Sequence, residues 1–75
     1  MNDFTIEELD LIHGSLITRE HKIRRDWIDG NDDVAEVEKY TKEAKILRSI
    51  GNRVCAAMLS KKLGFYIEPL VESVD

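Results

Sequence analysis

Asp29-Gly30-Asn31-Asp32-Asp33 is the clearest turn in this sequence, and it decides the fold by dividing the chain into two arms of nearly equal length. Gly30 and Asn31 tolerate a positive φ, while the aspartates favour helix caps over helix interiors. Working back from the turn, Leu9, Ile12, Leu16, Ile23 and Trp27 recur at helical spacing, with His13 and Glu20 on or beside the same stripe. Asp10, Arg19, Lys22 and Arg25 mostly point away from it. The start of this helix is specified in full. Thr5 is the N-cap, Glu8 closes a capping box three residues later, and Phe4 can staple onto Leu9. The spacing predicts a helix over residues 6–28. Gly14 destabilises a helix interior by about 1 kcal/mol relative to Ala, so it marks either a weak point or a close approach by another backbone.

Working forward from the turn, Asp33 and Glu36 repeat the capping-box spacing and open a second helix over residues 34–63. Its stripe is Val37, Tyr40, Ala44, Leu47, Gly51, Val54 and Met58, alternating threes and fours as in a bundle seam. Gly51-Asn52 admits a kink or a recapped third segment. Lys61 and Lys62 followed by Gly64 read as the C-terminus. If the arms fold back about residue 31, residues whose numbers sum to roughly 62 become neighbours, because both helices rise about 1.5 Å per residue. Asp3, Glu7, Glu8 and Asp10 then face the region of Arg48, Arg53, Lys61 and Lys62, and Arg24 and Arg25 come near Glu36 and Glu38. The expected fold is all-α, an antiparallel helical hairpin over residues 1–64 with an apolar arm over residues 65–75.

Association completes that expectation. At 75 residues, with one cysteine, the chain has no internal disulfide, and a domain this short is marginal as a lone monomer. After Ile46 roughly two thirds of the second helix's circumference is apolar, more than one antiparallel neighbour covers. Ile46, Ile50, Val54 and Ala57 are therefore the expected interface of a homo-oligomeric helical bundle. The arm Phe65-Tyr66-Ile67-Glu68-Pro69-Leu70-Val71 is too apolar for a solvated tail and is expected to lie across another subunit.

Chemistry-bearing clusters are sparse. His13 and His21 stand about 12 Å apart along one helix and cannot share a metal, so neither a metal site nor a cofactor is expected. Cys55, beside Val54 and Ala56, reads as a small hydrophobe. With no paired nucleophile and base and no glycine-rich phosphate loop, the expectation is a protein that is not an enzyme. Arg19-Glu20-His21-Lys22-Ile23-Arg24-Arg25-Asp26-Trp27 is the one basic and aromatic cluster. Its plainer reading is a solvated face paired with Glu36, Glu38 and Glu43. In an oligomer, copies of Arg24, Arg25, Lys39 and Tyr40 could instead converge on an anionic small molecule. A net charge of −4 disfavours nucleic acid, leaving a DNA-binding regulator as a further alternative. No apolar run approaches the roughly 20 residues that span a bilayer, and acids occupy the N-terminal positions where a signal peptide needs bases. A cytoplasmic location is expected.

The layout Phe4-Thr5-Ile6-Glu7-Glu8-Leu9 opening a helix, followed by an acidic turn and one longer helix, resembles small accessory proteins encoded by bacteriophages. The resemblance implies action by binding in the host cytoplasm. One form is blockade of a host protein, and the alternative is an oligomeric sponge that sequesters a nucleotide or cyclic-nucleotide signal of antiviral defence. The resemblance carries no binding residue with it. From their own chemistry, the apolar arm residues Phe65, Tyr66 and Ile67 are the expected contact in the first case, and Arg24, Arg25, Lys39 and Tyr40 the expected ligand site in the second.

Overall fold

A computed structural model of the chain describes residues 3–70. Two α-helices pack against each other, and no strand occurs among the described residues. Helix α1 spans Ile6–Ile23 and begins as its sequence dictates: Thr5 Oγ1 accepts from the Glu8 amide at 3.1 Å, and the Thr5 amide donates to Glu8 Oε1 at 2.9 Å. These bonds, the backbone one first, hold the Glu8 carboxyl below its usual range. Helix α2 spans Val34–Leu63 and runs through Gly51 as one element, so the admitted break does not occur. Its N-terminus uses half a capping box. Asp33 Oδ1 accepts from the amides of Ala35 and Glu36, but the Glu36 carboxylate takes the Asn31 side-chain amide at 3.3 Å in place of its own cap.

The seam forms where the alternation of threes and fours placed it. Leu9, Val54 and Met58 are buried together, with Ile6, Ile12, Leu16, Ile50 and Ala57 packed around them. Nearer the turn, Ile23 and Ala44 are fully enclosed. At Gly51 the reason for a missing side chain is mild, since an added Cβ would meet His13 Cδ2 at 4.0 Å, an ordinary van der Waals contact. Arg19 Nη2 meets Glu43 Oε1 at 3.3 Å across the helices, on the register a fold-back about residue 31 requires.

Gly14 has nothing within 4 Å of where a Cβ would stand. Gly14→Ala should therefore stabilise the hairpin by up to about 1 kcal/mol, through helix propensity alone, read as a higher thermal midpoint at low micromolar concentration. A midpoint below that of the native chain, by a margin that shrinks on dilution, would instead reveal a second backbone seated on that glycine.

The first arm departs from a plain helix at its end. Arg24–Ile28 forms a π-helical turn, closed by the Asp29 amide donating to the Arg24 carbonyl at 2.8 Å. Gly30 takes a φ of 74° in the turn that follows. At the other end of the chain, Gly64 adopts a left-handed φ of 79° and its amide caps the Ser60 carbonyl. That residue sends the chain back along α2. The Ile67 amide donates to Ser60 Oγ at 2.8 Å, and the same hydroxyl donates to the Ala56 carbonyl at 2.8 Å. Within one chain the arm thus turns back at Ile67 beside the last turns of its own helix. Residues 71–75, included in the expected arm, lie outside the described residues.

Candidate functional site

The hairpin's turn end carries the basic and aromatic residues. The wide π-helical turn seats Trp27 on Tyr40, with ring centroids 5.2 Å apart and planes 26° from parallel. Lys39 Nζ sits 5.4 Å from the Tyr40 centroid, within cation–π range. Asn31 Nδ2 donates to the Trp27 carbonyl at 2.8 Å, which fastens the turn to the end of the first arm. Trp27 remains 43% exposed, so the aromatic pair is open to solvent on one side.

The two arginines do not join that pair. Arg24 Nε donates to Glu20 Oε2 at 2.9 Å, and Arg25 Nε donates to Asp26 Oδ1 at 3.0 Å. The expected approach of Arg24 and Arg25 to Glu36 and Glu38 is replaced by these pairings within the first arm. Residues four apart, such as Glu20 and Arg24, face each other on a helix without any tertiary reach. The Arg25 bond raises its own pKa and holds the Asp26 carboxyl below its ordinary range. Of the four proposed ligand residues, one chain brings Lys39 and Tyr40 together and directs Arg24 and Arg25 to carboxylates.

Glu20 is the buried charge of the molecule's described part. Besides Arg24 it accepts from Arg48, whose Nη2 lies 3.1 Å from Oε2, so it ties the end of α1 to the middle of α2. Burial pushes its carboxyl up. The bonds from Arg24 and Arg48 and their charges outweigh that and leave it below the ordinary range. Arg48 thus pairs with Glu20 across the two helices. His13, Leu47, Gly51 and Asn52 line a small cleft beside this pair. No group of three potential metal ligands gathers among the described residues.

The four expected interface residues divide. Val54 is 2% exposed inside the hairpin core, and Ile50 and Ala57 pack against that core, whereas Ile46 is open. Leu59 and Leu63, also open, extend the apolar surface toward the end of α2. Of the arm residues, Phe65 and Tyr66 are exposed and Ile67 is half-buried against Ser60.

Between the arm and the last turns of α2 lies a concavity of about 520 Å³ that no single segment of the sequence announces. Arg53, Ala57 and Lys61 stand along its helical wall, and Phe65 and Tyr66 along the other. Arg53, Ala57 and Lys61 are spaced by four, so their shared face was legible. The return of the arm that completes the groove was not, because it hangs on the Ser60–Ile67 bond. No protein-family model matches the chain, and neither a curated protein nor a solved structure matches it.

Proposed function

We propose that this chain is a small non-catalytic binding protein that self-associates and acts by docking onto a host protein, in the manner of the phage accessory proteins its N-terminal layout resembles. The observation that carries the reading is the arm. Phe65 and Tyr66, 60% and 78% exposed, stand on a segment tied to α2 at Ile67, so two aromatic anchors are displayed without a loose tail to order on binding. Exposed Ile46, Leu59 and Leu63 support self-association, since a core with Leu9 and Ile23 as its largest fully buried side chains is small for a chain of this length. No helix among the described residues is long and apolar enough to cross a membrane, and a cytoplasmic site of action goes with this reading.

The test uses the immobilised full chain in a bacterial host lysate beside a Phe65→Ser/Tyr66→Ser double variant of equal helicity. A host protein retained by the native chain and lost by the variant is expected. Equal retention by both would remove the arm from the function. Sedimentation equilibrium of Ile46→Asp tests association separately, because Ile46, unlike Ile50, can change without entering the hairpin core.

A second reading rests on Trp27 and Tyr40. An open aromatic pair beside Lys39 suits a base and its phosphate, and a neighbouring subunit could bring its own cations to the same end. A nucleotide or cyclic nucleotide at a hundred times its Kd would stabilise the chain by about 2.7 kcal/mol. That shift should vanish in Tyr40→Ala and weaken in Arg24→Ala or Arg25→Ala. A thermal-shift series without any stabilising nucleotide would leave the arm reading alone.

A further inference from the structure

We propose that the groove between the C-terminal arm and the last turns of α2 binds an acidic, extended peptide segment of the partner, with one carboxylate on Arg53, a second toward Lys61, and an apolar side chain on Ala57 between them. The proposal rests on the reading of the arm as the contact surface and names the chemistry that surface selects.

Arg53 is the decisive residue. Arg19, Arg24, Arg25 and Arg48 are each bonded to a carboxylate, whereas Arg53 has no such partner among the described residues. It is exposed, and among the described residues no acid lines the groove it borders. A guanidinium in that setting offers a planar fork to an incoming carboxylate without first breaking an internal bond. Lys61 adds positive potential at the far end while also feeling the charge of Glu8, so it contributes less than Arg53.

Spacing defines the ligand. Arg53 and Lys61 are eight residues apart on a helix, about 12 Å along its axis at about 1.5 Å per residue. An extended chain rises about 3.3 Å per residue and alternates its side chains between two faces, so acids four positions apart span that distance on one face, with the residue midway between them on the same face. Ala57 lies midway and presents only a methyl group, which leaves room for an aliphatic side chain walled by Phe65 and Tyr66. A concavity of about 520 Å³ takes a few side chains and not a folded surface. A second copy of this chain is the poorer occupant. A two-fold contact through this face would bring Arg53 and Lys61 against the same residues of the partner, like charge on like.

The experiment is fluorescence polarisation with the full chain and labelled octapeptides carrying two glutamates four positions apart with a leucine midway between them. Matched peptides replace the glutamates with glutamine or lysine. Binding of the acidic peptides alone is expected, with at least a tenfold loss in Arg53→Ala, a smaller loss in Lys61→Ala, and weakening as salt rises. Arg53 is exposed, so its removal should leave the helicity unchanged, and circular dichroism checks this. No binding of any acidic peptide, binding indifferent to Arg53→Ala, or equal binding of glutamine peptides would overturn the proposal. So would stronger binding of an oligonucleotide than of any peptide at the same Arg53-dependent site. If the host protein is lost on Phe65→Ser/Tyr66→Ser but retained by Arg53→Ala, the arm reading stands and the acidic-segment proposal fails. Retention by both variants removes the two together.

Discussion

Leu9→Ala will destabilise the hairpin by about 3 kcal/mol, in the range of about 2–5 kcal/mol for a buried leucine truncated to alanine. Leu9 is fully enclosed and clusters with Val54 and Met58, buried residues of the far half of α2. A chain this long has roughly 4–11 kcal/mol of stability in all, at about 0.05–0.15 kcal/mol per residue, so one side chain removes a large share of it. Collapse around the hole is limited, since Ile6 and Ile12 on the same helix already pack on the cluster. Leu11, two positions on and 72% exposed, supplies the control. Leu11→Ala should change the urea midpoint by no more than about 0.5 kcal/mol equivalent. A cost at Leu11 comparable to that at Leu9, and dependent on protein concentration, would place an intermolecular contact on the outer face of α1.

What the sequence made legible follows from how local each signal is. The Thr5 and Glu8 box involves four consecutive residues and forms as read, and the seam of α2 follows from a repeat that any helical chain must place on one face. The π-helical turn has no such local mark. It forms where Trp27 must reach Tyr40 and the Arg24 carbonyl can accept from Asp29, a compromise between two arms that neither arm encodes alone. The choice made by Arg24 and Arg25 follows the same logic. Glu20 and Asp26 are already beside them, so the nearer carboxylates outcompete Glu36 and Glu38 once the turn sets the geometry. Val54 was assigned both to the seam and to an interface, and period alone cannot divide a wide apolar arc between two neighbours. The position of α1 decides it, burying Val54 and leaving Ile46 open. In the candidate site, the aromatic and basic residues were visible, but Arg53 became distinct from the other arginines only once their partners were known.

Glu20→Gln should lower stability at neutral pH by about 1–2 kcal/mol and make the chain less sensitive to acid. The native carboxylate accepts charge-assisted bonds from Arg24 and Arg48 in a position where its side chain is 8% exposed. Because both arginines are open to water, the loss falls short of the about 3–5 kcal/mol expected when a fully buried pair is broken. Glutamine keeps the shape and an accepting oxygen, which isolates the charge from the packing. The pH dependence follows from the direction of the shift. The folded Glu20 pKa lies below the ordinary 4.5, so its contribution is complete above that value and is lost as the pH falls through the folded pKa. Glu8 and Asp26 are shifted the same way and remain in both proteins, so the difference between native and variant isolates Glu20. Urea unfolding of the two should show a clear gap at pH 7 that narrows steadily below pH 4.5. A gap of constant size from pH 7 to the acid limit would mean that the carboxylate's charge contributes nothing and that Arg24 and Arg48 hold the helices through shape alone.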